Sequence, residues 1–254
     1  MNSARQTVTR IELVATGAHG SAGLFAWRHR VNAMRDGDEA RLRASSAFDP
    51  ALHELVRDVS SEWIALDGER DELDVGSVFA CVCDFALREE RDGGDAAREQ
   101  LEARRDPRVW LTALDAEGDG ALAIIGGVRI FVGDREVVPV SCCTDASSWA
   151  GWRAPIIGAG ESWRPESGHD PMLGFRVTAD EVEIELGYGG DPNEQGALVV
   201  LDRVSFEAAI ASADARVMAF AALAERWIAR RCTPEESVRI NAWVRRTLGL
   251  ERAR

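Results

Sequence analysis

Lysine is absent from this chain of 254 residues, in which all 30 basic side chains are arginine. The absence excludes a Walker-type phosphate-binding loop, because such a loop reaches the phosphates of a nucleotide with a lysine side chain. The glycines of GAHGSAG, which are Gly17, Gly20 and Gly23, also have the wrong spacing for a dinucleotide-binding loop. We therefore interpret this segment as a turn.

Metal-ligand pairs, disulfide patterns and long apolar runs are equally absent. The five cysteines include no C-x-x-C spacing, and the four histidines are isolated from one another. We therefore expect no metal and no cofactor, and free thiols in a reducing compartment. No apolar run approaches the roughly 18 residues of a membrane-spanning helix, and the N-terminal sequence lacks the pattern of a secretion signal. The sequence predicts a cytoplasmic protein.

The net charge of −13 restricts the kinds of partner that we expect. A field of this sign repels nucleic acid and anionic membranes and attracts basic proteins. The charge is uneven, because residues 203–254 hold ten arginines against six acidic residues. We predict a basic protein as the partner, with no nucleic acid and no membrane. A homo-oligomer, in which the arginine-rich end docks on the acidic body, is the alternative interpretation of the same charge pattern.

The N-terminal part of the chain has a mixed hydrophobic pattern. Thr7–Thr16 alternates apolar and polar residues, as a half-buried strand does. Asp49–Leu66 has the cap of a helix and an apolar stripe that reaches Trp63. Ser77–Leu87 fits a buried helix or a strand, and its length does not decide between them.

The rest of the chain has the pattern of an antiparallel sheet. Short apolar runs over residues 109–141, separated by the turn sequences DAEGDG, GG (Gly126–Gly127) and GDRE, predict a meander. Pro139 in the last of these runs indicates an edge strand, since proline has no N–H to donate to a neighbour. Three further apolar runs, at residues 174–179, 181–188 and 197–202, predict three more strands.

Two helices are predicted to follow the sheet. Ser205 or Ser212 would cap the first, and Thr233 followed by proline would cap the second, which Gly249 ends. The pattern predicts an α+β fold, with an antiparallel sheet (meander) packed by C-terminal helices and a mixed N-terminal part. The predicted regions are 1–105 and 106–254, with a single domain as the alternative.

A run rich in glycine, serine and proline contains three tryptophans. Trp149 and Trp152 would share one face of a short helix that starts at Asp145 or Ser147, so both could be buried and anchor a long connection. Tryptophan and arginine are also enriched at binding hot spots, which makes the same run a candidate partner surface. We favour anchoring. The candidate binding residues in this run are Trp149, Trp152, Arg153, Trp163, His169 and Asp170.

Residues 138–228 resemble an uncharacterised bacterial family. The family pattern has a Cys-Cys pair, a short acidic spacer, W-x-x-W, a further tryptophan, a Gly-His-Asp-Pro turn and a closing strand and helix. In this chain the pair is Cys142–Cys143, GHDP ends at Pro171, and FEAAIASADARVMAFAALAERW matches the helix. The chain departs from the pattern in having Glu-Ser, and not tryptophan, before GHDP. The resemblance implies an association with bacterial immunity and defence, and no settled activity.

Acidic residues supply two more candidate surfaces. Glu181, Glu183 and Glu185 alternate along a predicted strand, so their side chains would face the same side. The second surface is the acidic segment, Asp67–Asp74. We predict a non-enzymatic, acidic, cytoplasmic protein-binding protein, most concretely an immunity-type inhibitor of a basic toxin or a component of a bacterial defence system.

Two alternatives belong to other functional classes. The first is an enzyme whose site has no recognisable motif and uses Cys142, Cys143 and His169. The second is an obligate structural oligomer. An enzyme requires a concave pocket with convergent polar groups, whereas an inhibitor requires an exposed acidic or aromatic face.

Overall fold

Two antiparallel sheets, together with helices, make up the described part of the protein. The computed structural model describes residues 5–16, 63–89, 108, 111, 123–141, 144–153, 162–163, 171–187 and 197–251, with the backbone alone for residues 16, 83–89 and 162–163. In chain order the elements are β1 (Arg10–Thr16), β2 (Trp63–Ala65), α1 (Glu72–Glu89), β3 (Gly126–Val132), β4 (Arg135–Val138), a 3₁₀ turn (Ala146–Ser148), α2 (Trp149–Arg153), β5 (Ser162–Trp163), β6 (Met172–Val177), β7 (Glu181–Gly187), β8 (Ala197–Asp202), α3 (Arg203–Ala229) and α4 (Pro234–Thr247). This arrangement confirms the predicted α+β fold.

The first sheet has the strand order β2-β1-β3-β4, with β1 beside β3 at its centre. Ile11 and Leu13 of β1 are buried in the core, which confirms the strand that alternation predicted. β3 and β4 form a hairpin that turns at Gly133, where a φ of 61° favours glycine. β4 lies at the edge of the sheet and Pro139 follows it directly, in agreement with the prediction from that proline.

The second sheet has the strand order β5-β6-β7-β8 and is antiparallel throughout these pairings. Its last three strands are those that the apolar runs predicted. Residues such as Phe175, Ile184 and Leu201 are buried on one face and belong to the core. Alternation then directs the intervening side chains to the opposite face.

The segment before β1 joins the two sheets. The backbone N–H of Gln6 donates to the carbonyl of Val200 at 3.0 Å, and the N–H of Asp202 donates back to Gln6 at 2.8 Å. Three residues later, the N–H of Thr9 donates to the carbonyl of Phe131 in β3 at 3.0 Å. A few consecutive residues are therefore hydrogen-bonded to both sheets.

The long helix α3 packs against both sheets, with contacts to β1, β7 and β8. Its N-cap is Asp202, whose carboxylate accepts the N–H of Ser205 at 2.8 Å. The predicted caps Ser205 and Ser212 are therefore wrong, because the helix begins directly after β8 and both serines lie inside it. Further along α3, the guanidinium of Arg216 donates to the carbonyl oxygen of Ile11 in β1 at 2.5 Å.

Helices α1 and α4 complete the core around α3. Ser77–Leu87, for which the sequence fits a helix or a strand, lies within helix α1. Phe79 of α1 stacks on Trp227 of α3 with ring centroids 5.3 Å apart. Thr233 caps α4 as predicted, in a capping box with Glu236. Gly249, with a φ of 61°, ends that helix as predicted.

Three further parts of the predicted pattern are wrong. Trp63 lies in β2, where it pairs with Thr16, and so it is not the end of a helix. The backbone at Leu111 is helical, although a strand was predicted there. Gly126 lies inside β3 and not in a turn. The position requires glycine because β1 approaches so closely that a Cβ would overlap the carbonyl oxygen of Val14. Residues 17–62, with GAHGSAG and most of the predicted helix, lie outside the described residues.

The pairing of β1 with β3 joins residues on both sides of the predicted division near residue 105. The division itself stays a prediction, since residues 90–107 are outside the described part. Within the described ranges, none of the helices has the length and hydropathy required of a bilayer-spanning segment.

Candidate interaction surface

The two tryptophans of the W-x-x-W sequence are core residues. Asp145 caps the 3₁₀ turn that leads into α2, so Trp149 and Trp152 lie on one face, and both side chains are fully buried. Trp152 makes an edge-to-face contact with Phe175 of the second sheet at a centroid distance of 4.9 Å. This burial is the arrangement expected of an anchor, and the surface described below is built without either ring.

Arg153, at the end of α2, serves the same anchoring contact. Its guanidinium forms an ion pair with Asp214 of α3 at 2.5 Å and donates to the carbonyl of Gly249 at 2.9 Å. Trp149 donates its indole N–H to the same carboxylate at 3.1 Å. The arginine therefore connects α2, α3 and the C-terminal turn, and its charge is neutralised within the fold.

Several other candidates lie wholly or partly outside the described residues. Trp163 belongs to β5 by its backbone, paired with Phe175, and its side chain is outside the described atoms. His169 and Asp170 lie outside the described residues, as do Cys142 and Cys143. The candidate Cys/His site therefore stays a prediction.

The acidic segment, Asp67–Asp74, uses its carboxylates to shape the connection from β2 to α1. The side chain of Asp71 caps α1 by accepting the N–H groups of Leu73 and Asp74, at 2.9 and 3.2 Å. Asp74 is itself buried, and Glu72 forms an ion pair with Arg230. Most of this negative charge is thus engaged in turns, caps and ion pairs.

The three glutamates of β7 share the face of the second sheet that is opposite to the core. In β7 the residues between them, such as Ile184, are buried, whereas Glu185 is exposed and Glu181 and Glu183 are partly exposed. We call this face, with its neighbours on β6 and β8, the open face. Its residues are Met172, Gly174, Arg176, Glu181, Glu183, Glu185, Gly187, Leu198, Val200 and Asp202, of which Val200 is buried.

Two carboxylates of the open face are neutralised by arginines. Arg176 lies directly across from Glu183 and donates its Nε to the Glu183 carboxylate at 2.6 Å. Arg5 donates its Nε to Asp202 at 2.9 Å. This hydrogen bond, reinforced by the backbone N–H of Ser205, holds the pKa of Asp202 below its ordinary value. In both ion pairs the arginine side chain is more exposed than the carboxylate.

Glu185 differs from these two carboxylates. Its cross-strand neighbours are Gly174 on β6 and Leu198 on β8, and it forms no hydrogen bond or ion pair with the other residues of the described ranges. A Cβ placed on Gly174 would lie 3.8 Å from Oε2 of Glu185, so the carboxylate extends beside the space that glycine leaves empty. Within the described residues, Glu185 is therefore an exposed carboxylate without an ion-pair partner, next to a position on β6 that has no side chain.

Apolar side chains lie on both sides of that carboxylate. Met172 is 46% exposed and Leu198 is 49% exposed, which places them among the few large exposed apolar side chains of the described residues. Neither residue was among the predicted binding residues. The alternation of side chains along β8 could have indicated the exposure of Leu198, because this residue stands at an outward position of a strand whose inward positions are also apolar.

The described residues contain no group of three or more His, Cys, Asp or Glu side chains placed to hold a metal ion. No protein-family model matches the chain, and the comparisons with curated proteins and with solved structures give no match. The interpretation of the open face therefore depends on its own chemistry.

Proposed function

We propose that this chain is a non-enzymatic protein that binds a basic protein partner through the open face of the second sheet. The most concrete form of the proposal is an immunity-type inhibitor in the cytoplasm, which covers a basic toxin with this face. A component of a bacterial defence system is the broader form. The ground for naming a toxin is the resemblance of residues 138–228 to an immunity-associated family.

The observation that carries the proposal is the composition of the open face. It combines carboxylates, which outnumber its guanidinium groups, with the exposed side chains of Met172 and Leu198. Protein interfaces combine apolar contact area with charges that complement the partner. The exposed side chains of Met172 and Leu198 beside the carboxylate of Glu185 supply both components at one place on the face.

The overall charge supports a basic partner as well. A net charge of −13 attracts a cationic protein from a distance and raises the rate of encounter, while salt screens this attraction. The open face then supplies the local contacts. The acidic segment contributes less, because its carboxylates already cap α1 and pair with Arg230.

The test is a pull-down from the native host lysate with the tagged protein and two charge variants. The first variant, Glu181→Gln with Glu185→Gln, neutralises the open face. The second, Glu69→Gln with Glu251→Gln, removes the same charge from two other exposed positions. We expect a basic protein that is held at low salt, weakened by high salt, lost with the first variant and kept with the second.

The two variants have the same net charge, so a difference between them reports position and not overall electrostatics. Equal capture by both variants, or capture of nothing but further copies of the chain, would contradict the proposal. The captured protein should then be purified and its activity measured with and without the inhibitor. An active basic protein that is unaffected by the bound chain would leave binding in place and overturn inhibition.

A further inference from the structure

Two carboxylates of the open face stand in equivalent positions on β7. One has an arginine partner across from it, and the other has no partner among the described residues. On adjacent strands, Arg176 stands across from Glu183, and two residues along the same strands Gly174 stands across from Glu185. In the first row the guanidinium lies against the carboxylate. In the second row the strand that would supply an arginine supplies no side chain at all.

We propose that Glu185 receives an arginine side chain of the partner, laid over Gly174 as Arg176 is laid against Glu183. This inference rests on the proposed function and specifies its anchor. The protein itself shows the geometry, since the sheet spacing that brings Arg176 to Glu183 is the same one row further on. Among the described residues, only the Glu185 side chain lies within 4 Å of the position that a Cβ of Gly174 would take, so an arginine stem laid there would contact that side chain.

The surroundings select arginine over lysine. The stem of an arginine can lie on the exposed apolar surfaces of Met172 and Leu198 while its charged end reaches Glu185. A guanidinium is planar, binds a carboxylate with two parallel hydrogen bonds, and loses less hydration than an ammonium group beside apolar side chains. Lysine offers a strongly hydrated point charge, which this partly apolar site accommodates less well.

Two substitutions at Gly174 separate this inference from a general attraction between charges. Gly174→Arg places an arginine of the chain itself against Glu185, so the site is filled from within. Gly174→Ala adds the Cβ without the guanidinium. A Cβ at this position meets only Glu185 among the described residues, at 3.8 Å, an ordinary van der Waals distance. Both variants should fold at least as stably as the original chain, because glycine weakens a strand interior.

The probes are an arginine-only peptide and a lysine-only peptide of equal length, titrated by fluorescence anisotropy into the purified full-length chain. We expect the arginine peptide to bind about tenfold more tightly than the lysine peptide. Gly174→Arg and Glu185→Gln should each remove this preference, and Gly174→Ala should keep it. Methyl-labelled methionine provides a local readout, since the arginine peptide should shift the Met172 methyl resonance.

Equal affinity for the two peptides would overturn the arginine inference. An unchanged preference for the arginine peptide in Glu185→Gln would also overturn it. This substitution introduces a side chain of nearly the same shape, so its result is informative even if Gly174→Arg does not fold. Neither result bears on the proposed function, which the pull-down tests separately. Loss of the pull-down partner with Glu181→Gln and Glu185→Gln, combined with equal peptide affinities, would keep the basic partner and discard the arginine anchor.

Discussion

Trp149 and Asp214 are joined across 65 residues of sequence by a hydrogen bond from the indole N–H to the carboxylate, at 3.1 Å. The same carboxylate forms an ion pair with Arg153, at 2.5 Å, so one acidic side chain of α3 holds both ends of the short helix α2. The fully buried ring of Trp149 thus has its polar atom satisfied. This contact fixes the connection that follows the first sheet onto the long helix.

Asp214→Ala should therefore destabilise the protein by about 2 kcal/mol. The substitution leaves the indole N–H of Trp149 and the guanidinium of Arg153 without their carboxylate, and hydrogen bonds that involve charged groups are worth roughly 1.5–3 kcal/mol. We take a value within this range because both members of the ion pair retain some solvent exposure. Urea unfolding, followed by tryptophan fluorescence, measures the change.

Glu225→Ala is the matched control on the same helix. Glu225 pairs with Arg245 at 3.3 Å, but both side chains are more exposed and no buried group depends on the carboxylate. Exposed ion pairs contribute roughly 0–1 kcal/mol, so the control should lose less stability than Asp214→Ala. Equal losses for the two variants would show that Asp214 is no more than a surface ion-pair partner.

The local part of this arrangement could be predicted from the sequence, and the distant part could not. The spacing of Trp149 and Trp152, with a capping residue at Asp145, predicts one buried face of a short helix, as the structure has it. Nothing near these residues indicates Asp214. A hydrogen bond between residues far apart in the sequence is set by the packing of whole elements, which local periodicity does not encode.

The same reason explains the errors in the fold. The strands of the second sheet were predictable because alternation and turn chemistry are local, whereas the pairing of β1 with β3 depends on two distant segments. Trp63 fitted a helical stripe, yet pairing with Thr16 places it in a strand, an instance of tertiary contacts overriding local pattern. Part of the open face was predictable. The outward direction of the three glutamates follows from the alternation of side chains along a strand, but the exposure of Met172 and Leu198 does not.

The stability of the protein should depend on pH through Asp202. The hydrogen bond from Arg5, and then the N–H of Ser205, lower the pKa of Asp202 in the folded state. A carboxyl group with a depressed folded pKa stabilises the fold fully above its unfolded pKa, near 3.9, and this contribution is lost as the pH falls through the folded pKa. Asp202→Asn should therefore lose less stability than the original chain between neutral pH and about pH 3.

Asparagine is a good N-cap, so this substitution removes the titrating charge while keeping the cap of α3. Urea midpoints measured at several pH values provide the comparison. Arg5→Gln should reduce the acid sensitivity in the same direction, and the double variant should add little to either single one, because both act on one ion pair. A pH profile of Asp202→Asn that parallels the original would contradict the assignment.

The capping box at the start of α4 gives a third prediction. Thr233 accepts the N–H of Glu236 at 3.3 Å, and the Glu236 carboxylate accepts the N–H of Thr233 at 2.8 Å. Thr233→Ala should cost about 1 kcal/mol in the free energy of unfolding, because the N–H of Glu236 loses its acceptor. Thr233→Ser retains a hydroxyl and should lower the free energy of unfolding by only about a few tenths of a kcal/mol. A similar loss in both variants would show that the hydroxyl is not the cause. Urea unfolding of the two variants measures the losses.

Gly249 and Gly133 form a matched pair for the last prediction, because both have a φ of 61° but differ in their surroundings. Among the described residues, a Cβ on Gly133 would meet nothing within 4 Å, whereas one on Gly249 would overlap the backbone N of Ala150 and lie 2.9 Å from the carbonyl oxygen of Ser147. Gly133→Ala should cost about 1–2 kcal/mol, the strain of the left-handed conformation alone. Gly249→Ala should cost about 1–3 kcal/mol more, since α2 must move away from the end of α4. Thermal unfolding of the two variants measures the difference, and equal losses would mean that α2 and the C-terminal turn are not packed together in solution.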